Sequence, residues 1–178
     1  MVKIREINSP PSLELFSELV ELLQDSVSGG AAIGWTEPPG TKEARNYWTE
    51  VLEAVGRGER MLCVATDNHV CAGAIQLSVA PRPSARHRGE VQKLMVHSQF
   101  RRKGVGKALL AALEAAAAAK GISLLVLDVR SGDAAEQLCR RAGYQLVGTI
   151  PGFARSAKGG FDPVSIYYRQ LGPAAAHG

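Results

Sequence analysis

The sequence QKLMVHSQFRRKGVGKALLAALEAAAAAKG, Gln92–Gly121, combines the patterns of a strand, a basic glycine-containing turn and a helix. Its first residues continue a strand predicted over residues 90–97, and the turn follows at residues 101–106. Apolar residues then recur at the 3.6-residue period of a helix, which ends at Gly121. A strand that passes through such a turn into a helix leaves several backbone N–H groups pointing in one direction. The stretch therefore predicts a binding site for an anion such as a pyrophosphate.

Two common phosphate-binding motifs do not match this turn. A Walker P-loop requires glycine at position 101 and serine or threonine at position 108, where the chain has Arg101 and Ala108. A dinucleotide-binding fingerprint requires a third glycine at position 109, where the chain has Leu109. What remains is the pattern R-x-x-G-x-G, which ends at Gly106 and directly follows a strand.

The composition is that of a globular protein with a local concentration of positive charge. With 178 residues, 46% of them hydrophobic and 21% charged, the chain can bury the core of one domain. Cations cluster around the turn although the net charge is only +4. The clustered cations are Arg82, Arg86, Arg88, Arg101, Arg102, Lys103 and Lys107. Aromatic residues make up only 6% of the chain, so the cluster favours a small phosphate-containing molecule over a nucleic acid.

Targeting and metal-binding patterns are not found in the sequence. The N-terminal residues lack the apolar core of a signal peptide, and no apolar run has the length of a membrane span. The three cysteines, Cys63, Cys71 and Cys139, have no C-x-x-C spacing and are odd in number. We therefore expect a reduced, cytoplasmic protein with no disulfide, no bound metal and no membrane partner.

Hydrophobic periodicity predicts a mixed sheet flanked by helices, an α/β or α+β fold. The predicted strands cover residues 2–7, 60–66, 70–80, 90–97, 123–130, 144–150 and 164–171. The predicted helices cover residues 13–28, 41–56, 105–120 and 132–142. Ser12 and Ser131 are expected to cap the first and last helices, and Leu13 to lie on the buried stripe of the first. Residues 151–163 are predicted to form a lid or rim loop, and residues 172–178 a disordered tail after a single domain, 1–171.

The chain resembles the GNAT (Gcn5-related N-acetyltransferase) family, and most closely its tabtoxin-resistance acetyltransferase subgroup. The matching stretches are SVSGGAAIGW (26–35), EVQKLMV (90–96), RRKGVG (101–106), LLVLD (124–128), GY (143–144), PGF (151–153) and SIYY (165–168). The resemblance implies the GNAT fold, a mixed and mostly antiparallel seven-stranded sheet with splayed central parallel strands and four helices. It also implies transfer of an acetyl group from acetyl-CoA to the amine of a small amino-acid-like compound or toxin, an activity linked to antibiotic resistance.

The resemblance further implies a set of binding residues. Val96 would donate a backbone N–H to the oxyanion, and the neighbouring backbone would pair with the pantetheine like an added strand. Coenzyme-binding residues would be Leu94, Met95, Val96, Arg101, Arg102, Lys103, Gly104, Val105, Gly106, Lys107 and Cys139. Substrate-binding residues would be Gly29, Gly30, Trp35 and Phe153.

Two carboxylates are candidates for the catalytic base. An ammonium group must lose a proton before it can attack a thioester, and a carboxylate beside the cleft can accept that proton. Glu90 begins the central strand, and Asp128 follows an otherwise apolar run, which is an unusual place for a charge. In the resembling subgroup acids at both positions have this role. We expect Glu90 to be the base and Asp128 to be either a second base or an anchor for the substrate ammonium. A rim ion pair for Glu90 and a loop-pinning role for Asp128 are the structural alternatives.

The acid that protonates the departing thiolate is left open. Many GNAT enzymes have a tyrosine in the last helix where this chain has Cys139. A cysteine there is expected to be a packing residue, and Tyr144, Tyr167 or solvent could supply the proton instead.

Two other functions are weighed against a small-amine acetyltransferase. Acetylation of a protein N-terminus or lysine would require an extended peptide groove, whereas the apolar glycine-rich loop with Trp35 suggests a smaller pocket. A non-catalytic CoA-binding sensor would not need the paired acids, although Cys139 in place of tyrosine would suit it. The sequence is compatible with a homodimer and does not define the physiological amine.

Overall fold

The computed structural model describes residues 1–68 and 70–172, which form one sheet with helices on both faces. The strands in this part of the chain are β1 (Lys3–Glu6), β2 (Arg60–Asp67), β3 (Val70–Val79), β4 (Arg88–Val96), β5 (Leu124–Arg130), β6 (Gln145–Arg155) and β7 (Phe161–Gln170). The α-helices are α1 (Leu13–Ser28), α2 (Thr41–Gly56), α3 (Val105–Ala119) and α4 (Ala134–Arg141). The predicted tail lies outside the described residues from position 173 onward. No described helix combines the length and the apolar character needed to span a membrane.

The strand order is β1-β2-β3-β4-β5-β7-β6. Every neighbouring pair is antiparallel except β4 and β5, which are parallel. The predicted fold, an α+β arrangement with a mixed and mostly antiparallel seven-stranded sheet and four α-helices, is confirmed.

The two central parallel strands pair only where they begin. Their register consists of Arg88 with Leu124, Gly89 with Leu125 and Glu90 with Val126. Beyond Glu90, β4 continues to pair with β3, and β5 continues to pair with β7. The central strands therefore diverge and leave a wedge-shaped gap in the middle of the sheet.

The core has one layer on each face of the sheet. Helix α3 packs on one face through its apolar stripe, Val105, Leu109, Leu110, Leu113 and Ala117. Helices α1 and α2 cover the other face, where Leu19, Leu22, Leu23 and Trp48 are 0% exposed. Full burial of one leucine contributes about 1.5–3 kcal/mol. We call these layers the α3 core and the α1/α2 core.

Helix α1 confirms its predicted bounds and its cap, but one predicted buried residue is wrong. Ser12 Oγ accepts a hydrogen bond from Leu15 N at 3.3 Å. Leu13 is 79% exposed, and α1 buries Leu15 and Leu22 instead.

The predicted cap of α4 is wrong. Asp133, not Ser131, occupies the N-cap position. Ser131 Oγ lies 2.7 Å from Ser165 Oγ, so its hydroxyl bonds to β7 rather than to the first turn of α4.

The predicted rim loop over residues 151–163 is also wrong, because most of it is strand. β6 continues to Arg155 and β7 begins at Phe161, so the segment forms a long hairpin with its tip at residues 156–160. Between Ile150 and Ala154 the ladder is irregular, because three residues of β6, Pro151–Phe153, face a single residue of β7, Pro163. Proline cannot donate to a ladder, and this bulged region allows the strands to continue past both prolines.

Candidate active site

A bulge in β4 determines which side chains reach the central gap. Ala74 pairs with Met95 and Gln76 pairs with Gln92, so Lys93 and the residue after it stand opposite a single residue of β3. Lys93 has φ +53°, a left-handed conformation that is uncommon for a residue with a side chain. The extra residue interrupts the strict alternation of side chains along the strand.

The bulge reverses the faces on which β4 side chains lie. Val91, before it, packs in the α3 core. Simple alternation would add Lys93 and Met95 to that core, yet Met95 is buried in the α1/α2 core and Leu94 packs against the α3 core. Lys93 points toward the α1/α2 side, where its Nζ donates a hydrogen bond to Ile33 O.

The two predicted acids lie on this same side of the sheet. Gln76 on β3 donates to the Tyr47 hydroxyl of α2 at 2.9 Å, and Gln92 stands opposite it in the ladder. Glu90 precedes Gln92 by two residues and accepts a hydrogen bond from its Nε2 at 2.8 Å. Asp128 follows Val126, the partner of Glu90 in β5, by two residues. The structure therefore brings both carboxylates to one face, at the mouth of the gap.

The charges of these groups influence one another. The pKa of Asp128 is raised by burial and then by the negative charge of Glu90, although its side chain still reaches solvent. The pKa of Lys93 is lowered by burial and by Arg60, while Asp128 and Glu90 oppose that decrease. Arg60 begins β2 on the same face and donates to Gln76 Oε1 at 2.6 Å. A cavity of about 100 Å³ lies beside it, lined by Tyr47, Glu50, Val51, Ala54 and Arg60.

The predicted substrate loop, residues 29–35, borders this face. Lys93 Nζ lies 5.4 Å from the centroid of the Trp35 ring, whose Nε1 donates to Glu43 at 2.9 Å. Gly30 O accepts a hydrogen bond from Arg130 Nη2 at 2.8 Å. A Cβ on Gly29 would lie 2.4 Å from Arg101 Nη2, so the guanidinium packs directly on this glycine.

The fourth predicted substrate residue is placed differently. Phe153 is 52% exposed on β6, the outer strand of the sheet, and β7 separates that strand from β5. The assignment of Phe153 to the substrate site therefore stays a prediction.

The predicted coenzyme loop has the backbone geometry of an anion site. Arg102 and Gly104 have left-handed φ values of +62° and +81°. The first backbone hydrogen bond into α3 runs from Ala108 N to Gly104 O at 3.0 Å, so the preceding N–H groups of the first turn lack helical acceptors. A Cβ on Gly106 would meet its nearest protein atoms only at 3.5 Å, an ordinary contact. The protein alone does not require glycine there, which is consistent with space kept for a ligand.

One of the loop cations is engaged within the protein. Arg101 Nε donates to Val96 O at 3.2 Å, and its Nη2 lies 3.9 Å from Asp25 Oδ2. The same carboxylate accepts hydrogen bonds from Ser98 N at 2.8 Å and Ser98 Oγ at 2.7 Å. Asp25, at the end of α1, therefore holds the segment that leads into the loop. The other cations of this region are exposed: Arg102 and Lys103 in the loop, and Lys107 in the first turn of α3.

Cys139 lies on the other face from the acids, in the α3 core, and is 4% exposed. Burial raises the pKa of its thiol to about 11. Tyr167 is buried in the same core, and its hydroxyl donates to Glu136 Oε1 at 2.8 Å. Burial also raises the pKa of Tyr144. Within the described chain, His, Cys, Asp and Glu side chains do not form a group of three or more that could hold a metal ion.

Three residues of this region were not identified from the sequence: Lys93, Arg130 and Asp25. Arg130, the last residue of β5, contacts Gly30 O, Asp133 and Asp162, and so joins the substrate loop to α4 and to the β6–β7 hairpin. Arg130 could have been identified from the sequence, because a charged residue at the end of an apolar strand is a candidate site residue. The position of Lys93 depends on a bulge, for which the local sequence has no signal.

Comparisons with known proteins agree with this geometry. Residues 18–144 match the family model of the Acetyltransferase (GNAT) family. An L-methionine sulfoximine/L-methionine sulfone acetyltransferase of Pseudomonas paraeruginosa is 33% identical over 139 residues, 75% of this chain and 76% of that protein. An uncharacterised N-acetyltransferase from the hisH–hisA intergenic region of Azospirillum brasilense is 32% identical over 115 residues, 64% of this chain and 67% of its own.

A solved structure shows the same fold. The crystal structure of a phosphinothricin acetyltransferase from Sinorhizobium meliloti, in complex with acetyl-CoA, aligns with a TM-score of 0.79 at 22% identity. The alignment covers 99% of this chain and 92% of that one. Taken together with the sequence matches, these results show that the chain belongs to the GNAT acetyltransferase family and is an N-acetyltransferase.

Proposed function

We propose that the chain transfers the acetyl group of acetyl-CoA to the amino group of a small amino-acid-like compound, as a tabtoxin-resistance-like enzyme would. The observation that carries the proposal is the pair Glu90 and Asp128 on one face of the central gap, with an anion-binding loop where β4 leads into α3. The printed activity of the Pseudomonas paraeruginosa relative, on two amino-acid analogues, supports an acceptor of this size.

The residues around the gap suit acetyl-CoA. The free N–H groups at the start of α3 would hold the pyrophosphate, with the exposed cations Arg102, Lys103 and Lys107 around it. The edge of β4 over residues 94–96 that faces β5 has no strand partner in the described sheet, so it can pair with the pantetheine amides. When bound, acetyl-CoA supplies an acetyl group activated as a thioester.

The two acids divide the proton transfer between them. Asp128 accepts the proton of the acceptor ammonium, because burial and the negative charge of Glu90 raise its pKa above the ordinary value, while one oxygen of Glu90 is already used by Gln92 Nε2. This assignment reverses the order expected from the sequence. Glu90 holds the ammonium while it is charged. The freed amine nitrogen forms a bond to the thioester carbonyl carbon, and Val96 N–H stabilises the oxyanion. The carbon–sulfur bond then breaks, the nitrogen loses its second proton to solvent, and the departing thiolate takes a proton from solvent.

Steady-state assays of acetyl-CoA turnover test this proposal. The acceptors are a panel that contains L-methionine sulfone, phosphinothricin and an N-terminal peptide, and the readout is release of the CoA thiol. We expect turnover with the amino-acid analogues, and a decrease in kcat of about 10²–10⁴ in Asp128→Asn. The matched control is Glu21→Gln, an exposed acid on α1, which should keep the wild-type rate. Binding of acetyl-CoA without turnover of any acceptor would favour the sensor function instead.

A further inference from the structure

Four charged side chains on the α1/α2 face stay apart from one another. They are the cations Arg60 and Lys93 and the anions Glu90 and Asp128. Arg60 bonds to Gln76, whose ladder partner Gln92 directly precedes Lys93, and the two acids stand on the neighbouring positions of β4 and β5. The charges of Arg60, Glu90 and Asp128 also act on the pKa of Lys93. Yet among the described residues none of the four forms an ion pair within 4.0 Å. The cleft thus presents separated positive and negative groups, a pattern that a ligand carrying both charges would complement.

Lys93 is placed here at a structural cost. Its backbone adopts a left-handed conformation, and its side chain is half-buried. One N–H of the ammonium is used by Ile33 O, and the Trp35 ring lies 5.4 Å from Nζ. An ammonium has three donors, so two are available to a ligand. A half-buried cation without an anionic partner is unfavourable, and an anionic group of the ligand would relieve it.

We propose that Lys93, assisted by Arg60, binds the carboxylate of the acetyl acceptor while the acids hold its ammonium. The inference rests on the proposed function and narrows it, because the acceptor becomes a zwitterionic amino acid rather than a simple amine. Lys93 is a specificity residue in this arrangement and takes no part in proton transfer. A protein N-terminus has no carboxylate beside its amine, so it would leave the Lys93 ammonium without an anionic partner.

Pairs of acceptors that differ only in the carboxylate test the inference. L-Methionine sulfone, L-tyrosine and L-histidine are each compared with the corresponding amine that lacks it: 3-(methylsulfonyl)propylamine, tyramine and histamine. The value of kcat/KM is measured at saturating acetyl-CoA for wild type, Lys93→Met and Lys93→Gln. Lys3→Met, an exposed lysine of β1, is the control for loss of a positive charge.

Both Lys93 variants should lose about 10- to 100-fold in kcat/KM for the amino acids, the usual effect of losing a hydrogen bond to a charged group. Their kcat/KM for the amines and their KM for acetyl-CoA should stay within about threefold of wild type, as should all values for Lys3→Met. An equal loss for both members of a pair would overturn the inference, since Lys93 would then only hold the loop or balance the acids. Wild-type activity of Lys93→Gln on amino acids would overturn it too, because the amide can still donate to Ile33 O without a charge.

The wild-type enzyme separates this inference from the function on which it rests. Acetylation of the amines but not of the amino acids would overturn the inference and leave acetyl transfer to a small amine intact. Acetylation of none of the six compounds would overturn both.

Discussion

Replacing Cys139 with alanine tests whether this thiol protonates the departing CoA. A free thiol has a pKa of about 8.5, whereas burial raises that of Cys139 to about 11. Proton transfer from Cys139 to a thiolate with that ordinary pKa would therefore be uphill by about 3.4 kcal/mol, or roughly 300-fold in equilibrium. A buffer acid whose pKa lies below that of the free thiol has no such disadvantage. We expect Cys139 to be a packing residue, so that Cys139→Ala leaves kcat within about twofold of wild type.

The same substitution should lower stability. Removal of one buried sulfur from the α3 core costs about 1–2 kcal/mol by comparison with other large-to-small changes. For a chain of this length that corresponds to a decrease in Tm of about 2–8 °C.

The assay combines CoA release at saturating acetyl-CoA and acceptor with thermal unfolding. Cys63→Ala is the matched control, because Cys63 is 2% exposed in the same core and burial raises its pKa to about 11 as well. Both variants should lose similar stability and keep their activity. A tenfold or larger drop in kcat for Cys139→Ala alone, with an unchanged Tm, would refute the packing role.

Three further perturbations test the rest of the site. Asp128 must be ionised to accept a proton, and the charge of Glu90 raises its pKa. Glu90→Gln should therefore move the acidic limb of the pH profile of kcat/KM to lower pH. A limb that stays in place or moves to higher pH would contradict the assignment of Asp128 as the base. Gly104→Val should weaken acetyl-CoA binding, measured by calorimetry. The control is Gly121→Val, at φ +79° beyond the other end of α3, which should lose similar stability and bind acetyl-CoA normally. Equal affinity of the two variants for acetyl-CoA would contradict the assignment of the coenzyme loop. Asp25→Asn should weaken the charge-assisted hydrogen bonds to Ser98, in the segment before the coenzyme loop. We expect a several-fold higher KM for acetyl-CoA and a lower Tm, with kcat retained. Unchanged KM and Tm would exclude a role for Asp25 in holding that segment.

Much of the fold could be predicted because its local signals agree. Helices α1, α2 and α3 each combine a 3.6-residue stripe with a terminating glycine or a capping serine, and their observed bounds differ little from the predicted ones. Glu90 was a candidate because it begins the central strand, and Asp128 because it is a charge that follows an apolar run. The structure places them on the same face, as the register of the parallel pair requires.

The errors come from contacts between distant parts of the chain. Ser131 has the chemistry of a cap but finds Ser165 across the sheet. Residues 151–163 contain the glycines and prolines that are typical of a loop. Pairing of β6 with β7 nevertheless makes most of the segment a hairpin with a local irregularity. The face on which Lys93 lies could not be predicted, because the prediction assigns successive residues of a strand to alternate faces. The bulge adds one residue to β4, and this extra residue is defined only by the pairing of β4 with β3.

The short pairing of β4 with β5 has a consequence for how the protein opens. In the described sheet, three residue pairs form the only strand ladder between a unit made of β1–β4 and a unit made of β5–β7. In hydrogen-exchange experiments we expect these units to behave as two foldons, with amide protection that differs from one side of the gap to the other. A ligand that hydrogen-bonds to both diverging strands would act as a removable cross-link. At a ligand concentration 100 times its Kd, it would raise protection on both sides together by about 2.7 kcal/mol, and the two foldons would then exchange as one.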